Sequence, residues 1–335
     1  MIGNVRIEKM DFYLPETVLT NRELGNIFTD WDSGKVESAT GIKERHIAAE
    51  DETALDMAEK VGQKLLKDFD KSSIDFLILC TQSPEYYLPT GACILQDRLG
   101  LKINTGAFDF NLGCSGFVYG LALAKGLILS GTAQKILFIT SDTMSKHVYK
   151  KDKGNRTVFG DAAAGVIISH SDEEGIGEFV FGTDGSGYKN LIVPNGGLRH
   201  RYAPKAPERE VPGTDSIRTD NHLYMNGPEI FNFTIDVVPG TVNDVLQKNR
   251  LFIDEIDYFV FHQANKFIIN YLRKKMKIPE NKFFIDLEQT GNTVSSSIPI
   301  GLKKLQDSGA VGKGSKVLIC GFGVGYSWAA TILKF

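Results

Sequence analysis

An internal echo constrains the fold of this chain more than any other feature. Ser73–Cys80 reads SIDFLILC and Glu255–His262 reads EIDYFVFH, the same Ile-Asp followed by an apolar run. AFDFNLGC at Ala107–Cys114 is matched by FIDLEQTGN at Phe284–Asn292. Each leads into an apolar-periodic helix that ends in Ser-Gly, at Ser130-Gly131 and Ser308-Gly309. QKILFIT from Gln134 pairs with SKVLICG from Ser315, again at an offset of about 180 residues. A constant offset across three strand-helix units predicts two copies of one α/β unit fused head to tail.

Apolar strands alternate with helices such as Thr53–Phe69, whose Leu55, Ala58, Val61, Leu65 and Phe69 share a face. That pattern predicts buried sheets sandwiched by helices. The expected division is an N-terminal half over 1–172, a connecting surface excursion over 173–222 and a C-terminal half over 223–335. The excursion carries GTDGSG at Gly182–Gly187, a weak phosphate-loop pattern better read as a turn because no helix follows it. It also carries the charged RHRYAPKAPEREVPG at Arg199–Gly213, a candidate rim for a site.

The echo also places chemistry. Cys114 and Asn292 fall at nearly equivalent points of the two copies, each just past a strand and opening a helix, and His262 ends the second copy's other matching strand. Strand C-terminal ends are where layered α/β proteins bind ligands, so the three are expected to converge. Cys114 differs from Cys80, Cys93 and Cys320, which sit in apolar or helical runs and read as small core residues. Its neighbours Gly113, Ser115 and Gly116 leave the sulfur open, and a helix N-terminus is expected to favour the thiolate. Taken singly, His262 reads as a structural strand-end residue and Asn292 as an ordinary N-cap. Together the three make Cys-His-Asn.

That trio serves two chemistries. In a hydrolase the asparagine orients a histidine that deprotonates the cysteine. In a condensing enzyme the cysteine carries an acyl group while neutral histidine and asparagine donate hydrogen bonds to a thioester carbonyl during loss of carbon dioxide. Composition removes other classes: a formal net charge of −3 with 24% charged residues argues against a nucleic-acid or polybasic membrane binder. The longest apolar stretch, Gly116–Gly131, is broken by Lys125 and too short for a span, and Met1–Met10 has no signal-like apolar core, so a cytoplasmic protein is expected. Four cysteines without CxxC spacing suggest neither a metal site nor a disulfide framework.

The segments FDFNLGCSGF, FHQAN, GNTVSSSIP and GFGVGYSW resemble the motifs of the β-ketoacyl-acyl-carrier-protein synthase III family. TGIKERHIA, LPTGACILQDRLG, FGDAAAG and LYMNGPEIF extend the likeness over essentially the whole chain. The resemblance implies a thiolase-like fold, two pseudo-duplicated halves in a five-layered α-β-α-β-α sandwich, usually a homodimer. It implies that Cys114 accepts an acyl primer, and that His262 and Asn292 promote decarboxylation of malonyl-acyl-carrier protein. The backbone N–H groups of Cys114 and Val324 would form the oxyanion hole. Lys274 and Lys275 would attract the acidic carrier protein, Leu88 of a neighbouring subunit would line the acyl pocket, and no cofactor beyond the coenzyme A thioester substrate would be needed.

Three departures accompany the match. Val324 replaces the middle glycine of the family's usual GFGGG turn. Lys35 and Ala39 stand where the family commonly has a tryptophan and an arginine that grip coenzyme A, with Trp31 a few residues off register, so Trp31 and Lys35 are the candidates for that contact. Leu88 replaces the phenylalanine that restricts some members to short primers, which predicts tolerance of longer ones. The departures keep open a specialised synthase III relative of secondary-metabolite or surface-glycan biosynthesis. A Cys-His-Asn thioester hydrolase, a degradative thiolase and a silent binding subunit are weaker alternatives.

Overall fold

In a computed structural model, residues 3–28 and 31–335 are described. Ten strands form two five-stranded sheets. The front sheet is built from β1 (Asn4–Tyr13), β2 (Phe76–Cys80), β3 (Gly106–Phe110), β4 (Lys135–Asp142) and β5 (Ala162–Ser171), in the order β1-β5-β4-β2-β3. The rear sheet is built from β6 (Val180–Thr183), β7 (Tyr258–Phe261), β8 (Phe283–Phe284), β9 (Lys316–Gly323) and β10 (Ser327–Lys334), in the order β6-β10-β9-β7-β8. Each strand therefore has its counterpart five strands later. Pair directions repeat too: in each sheet the two pairs nearest the first strand are antiparallel and the other two parallel. The echo in the sequence is this duplication.

Five helices complete the layers: α1 (Ala54–Leu66), α2 (Gly116–Leu129), α3 (Gly227–Lys248), α4 (Lys266–Lys275) and α5 (Ser297–Asp307). Helices α2 and α5 lie between the sheets, where Phe117, Leu121, Ile298 and Leu302 share one core with Phe138 of the front sheet and Val260 and Ile319 of the rear. Helix α1 covers the outer face of the front sheet, and α3 and α4 cover that of the rear. The result is the expected α-β-α-β-α stack. Helix α1 begins at a reciprocal cap in which Thr53 Oγ1 accepts the Asp56 N–H and Asp56 Oδ2 accepts the Thr53 N–H. Its buried face carries Leu55, Ala58, Val61 and Leu65, as the spacing predicts. Among the described residues no helix is long and apolar enough to cross a membrane.

The expected boundaries need one correction. The span 173–222 is not all excursion, because Val180–Thr183 is the rear sheet's edge strand and pairs with Ser327–Ala330. The irregular path begins after it, with a short 3-10 turn at Gly185–Asn190 capped by Asp184. Two ribbons follow, Leu191–Ile192 with Tyr224–Met225 and Arg209–Glu210 with Ile217–Arg218. GTDGSG is thus a strand end and a turn. A four-residue strand beside polar neighbours gave too weak an apolar signal to be separated from the loop.

The central layer is packed tightly enough to require small residues. A Cβ on Gly120 of α2 would lie 2.0 Å from Cζ of Phe138, whereas one on Gly126 meets nothing within 4 Å. Gly120→Ala is expected to cost about 1–3 kcal/mol through overpacking. Gly126→Ala, on an exposed turn of the same helix, should add up to about 1 kcal/mol. Urea unfolding of the two variants checks this, and equal effects would contradict it.

Candidate active site

The loop Asn111–Ser115 carries the β3 chain into α2, with Ser115 at the N-cap and Cys114 just before that cap. What holds the loop is the rear sheet. A Cβ on Gly321 of β9 would lie 2.6 Å from the Cys114 carbonyl oxygen, and one on Gly323 would lie 2.9 Å from its sulfur. Only glycine permits that approach. A hydroxyl pair, Ser115 Oγ to Ser327 Oγ at 2.7 Å, fastens the halves beside it, and Ser327 Oγ donates on to the Val324 carbonyl at 2.9 Å.

The backbone N–H groups of Cys114 and Val324 bear on the Cys114 sulfur and draw its pKa down. Burial, at 7% exposure, and the nearby Asp142 carboxylate act the other way and push the thiol up to about 12. The expected thiolate is therefore corrected: desolvation outweighs a helix end that starts beyond the residue. Cys80 and Cys320 are buried, as read from the sequence, but Cys93 is exposed on the helix Gly91–Arg98. It occupies a position between the buried Ala92 and Leu95, where an apolar run gives no sign of which face is covered.

Val324 sits without strain. The left-handed angle in the turn falls on Gly325, at φ 138°, and the Val324 side chain fits because Gly113 has none, a Cβ there lying 2.6 Å from Val324 Cγ1.

His262 follows β7 and continues its pairing, its N–H donating to the Cys320 carbonyl at 2.9 Å. The ring is buried, its Nδ1 lies 2.8 Å from Ser297 Oγ, and it meets Phe322 edge-on at 5.7 Å. Burial pulls its pKa down to about 3, so the imidazole is neutral at ordinary pH. Asn292 sits in a turn rather than at a helix cap. Its backbone is clamped between Val158 and Gly160, at 2.8 and 3.1 Å, and its Oδ1 accepts the Val294 N–H at 2.9 Å. Its amide nitrogen makes no hydrogen bond among the described residues, which leaves a donor available.

Val294 is where the three meet. It packs with Cys114, Met144 and Phe159 in one small apolar cluster, its N–H holds the Asn292 side chain, and its backbone bears on the His262 ring. Its φ of 53° is costly for a β-branched residue and is maintained by these contacts. Neither Val294 nor Phe159 was singled out from the sequence as a site residue, although Phe159 stands in FGDAAAG. Behind Phe159, the buried Arg45 of TGIKERHIA donates to the carbonyls of Leu19 and Thr157 and to Asn21 Oδ1 at 2.7 to 2.9 Å, fixing the segment that leads into the site.

Cys114, Val294, Val324, Phe159 and Met144 line a cavity of about 980 Å³ whose mouth lies among Tyr86, Leu88, Tyr188, Gly196 and Tyr202. The excursion is thus its rim. His262 and Asn292 border it through Val294, whose backbone bears on both. Leu88 is 84% exposed at the mouth. Trp31 and Lys35 lie off the cavity wall: Trp31 is tied to the Asn21 carbonyl at 2.8 Å and stacks on Phe28, and Lys35 is exposed and pairs with Asp32 at 3.8 Å. On α4, Lys274 is exposed and makes no ion pair among the described residues, whereas Lys275 donates to the Ile235 carbonyl at 2.7 Å.

A neutral, buried His262 should show no ring titration between about pH 5 and 8, the range in which an ordinary histidine changes charge. NMR of ring-labelled histidine, with His262→Gln to assign the signal, checks this. A midpoint near 6.5 would contradict it.

Comparison with known proteins gives one answer. Residues 108–185 match the 3-oxoacyl-[acyl-carrier-protein] synthase III family model, and residues 246–335 match the model of its C-terminal part. The β-ketoacyl-[acyl-carrier-protein] synthase III of Clostridium acetobutylicum is 34% identical, covering 100% of this chain and 99% of its own. A crystal structure of a 3-oxoacyl-(acyl-carrier-protein) synthase III is 46% identical with a TM-score of 0.96, covering 99% of this chain and 100% of that one. The priming β-ketosynthase of the R1128 polyketide pathway is 28% identical with a TM-score of 0.86, covering 99% and 96%.

Proposed function

The chain belongs to the 3-oxoacyl-[acyl-carrier-protein] synthase III family and is a condensing acyltransferase of fatty-acid initiation, and we propose that Cys114 carries the acyl group in that reaction. The observation that carries the assignment is a sulfur lining the large cavity where the rear strand approaches so closely that a Cβ on Gly323 would lie 2.9 Å from it, with the N–H groups of Cys114 and Val324, one from each half, bearing on it. Donors so placed stabilise the oxyanion formed when that sulfur attacks a thioester.

In the loading step a sulfur–carbon bond forms between Cys114 and the primer's acyl carbon. The bond to the departing carrier thiol breaks, and the cysteine proton leaves on that thiol. Malonyl-acyl-carrier protein then enters, its carboxylate departs as carbon dioxide, and the enolate left on its thioester is held by the amide of Asn292 and the neutral ring of His262. The enolate carbon attacks the acyl group on Cys114, giving 3-oxoacyl-carrier protein and restoring the thiol with one proton from solvent. These steps need no metal or redox cofactor. Neutrality of the imidazole suits a donor that must not trap the enolate by giving up its proton.

Coenzyme A is the proposed primer carrier, with Lys274 the more available of the two α4 lysines for the acidic carrier protein. The exposed Tyr86, Tyr87 and Leu88 form an apolar group at the cavity mouth that a second copy would cover, consistent with a homodimer in which Leu88 borders the partner's acyl pocket. A specialised relative, such as a priming synthase of another pathway, is favoured only by Lys35 and Ala39 standing in place of the coenzyme A grip. Dependence on malonyl-acyl-carrier protein with formation of a 3-oxoacyl product separates condensation from simple acyl transfer to oxygen or nitrogen.

Incubation with an acyl-coenzyme A should add one acyl mass to the intact protein, and Cys114→Ala should abolish the adduct. Free acid released without malonyl-carrier protein and with no adduct would point to hydrolysis instead. The cavity volume and Leu88 lead to a second expectation. Primers longer than acetyl should load at least as well, each buried methylene contributing about 0.8 kcal/mol. Leu88→Phe should restrict this, and strict acetyl preference in the unaltered protein would refute it.

A further inference from the structure

Asp142 ends β4 completely inside the protein and takes no part in the bond changes above. One carboxylate oxygen accepts the Gln82 N–H at 2.7 Å, and the other accepts Ser295 Oγ at 2.6 Å. These two partners belong to different halves of the site. Gln82 lies over the nucleophile loop: its Nε2 donates to Asn111 Oδ1 at 3.3 Å, and its Oε1 would be 2.5 Å from a Cβ on Gly113. Ser295 directly follows Val294, the residue whose N–H holds Asn292 and whose side chain belongs to the same apolar cluster as Cys114. A single buried carboxylate therefore links the front-half loop that bears the sulfur to the rear-half turn that bears the carboxamide.

The groups that face Asp142 add an electrostatic side to this geometry. They are Cys80 from β2, Cys114 from the nucleophile loop and Asp161 just before β5, each neutral or negative. Among the described residues, His147, which lies 3.2 Å from Ser83 Oγ and bears on the Gln82 backbone, is the other titratable group reached through its partners, and burial lowers its pKa. Among the same residues no cation pairs with the carboxylate, whose pKa burial raises to about 7.

We propose that Asp142 is a positioning residue that holds the Cys114 loop and the Asn292 turn in register. The proposal rests on Cys114 being the acylated residue. A fixed link between halves keeps the acyl carbon and the enolate site aligned.

Two variants of the full chain test this. Asp142→Ala removes the carboxylate and with it the bonds from both partners. Ser295→Ala removes the hydroxyl bond alone, because the Ser295 N–H still bears on the carboxylate. Condensation should slow by about 10- to 100-fold relative to acyl loading of Cys114 in Asp142→Ala, and by a smaller factor in Ser295→Ala. An unchanged ratio of condensation to loading in both variants overturns the proposal. Failure of the unaltered protein to form an adduct at Cys114 would instead overturn the assignment of the nucleophile. If Asp142→Ala fails to fold, the Ser295→Ala ratio decides the positioning role.

Discussion

The closeness of two backbones organises this molecule. Where the nucleophile loop crosses β9, the rear strand carries Gly321 and Gly323, and any side chain there would collide with the carbonyl or the sulfur of Cys114. That contact brings the Val324 N–H to the sulfur and lets Ser115 reach Ser327. A second close approach lies in the same central layer, where Gly120 of α2 sits against the Phe138 ring of the front sheet. The site is a consequence of how closely the repeats approach rather than an addition to either one.

Inside that contact, burial dominates the electrostatics. The thiol is pushed up, the imidazole down and the Asp142 carboxyl up, each chiefly by desolvation. Three groups that would be partly or fully charged in water are thereby moved toward neutrality. A pocket of this kind stabilises charge that appears during reaction, with donors already in place, better than it stores charge beforehand. The free amide of Asn292 and the two backbone N–H groups at Cys114 suit such a pocket because they donate without ionising.

Much of this was legible in the sequence because it depends on local pattern. Ile-Asp followed by an apolar run gave β2 and β7, and the spacing of Leu55, Ala58, Val61 and Leu65 gave the buried face of α1. Cys114 stood out through its small polar neighbours. The rest was hidden for identifiable reasons. β6 is too short and too polar in context to announce itself. Cys93 lies in an apolar run whose exposed side only neighbouring elements define. Val294 looks like any valine in a polar loop, and nothing local shows that its backbone is left-handed and bears on both Asn292 and His262.

The sequence by itself determined the duplicated α/β architecture and the chemical identity of the sulfur, imidazole and carboxamide, because strand and helix periods and residue types are properties of short stretches. Only the tertiary structure decided their ionisation and their juxtaposition. Charge state follows from how much water the fold removes and which buried groups it brings near, as with Asp142 and Cys114. Juxtaposition follows from contacts between residues far apart in the chain, such as Cys114 against Gly323.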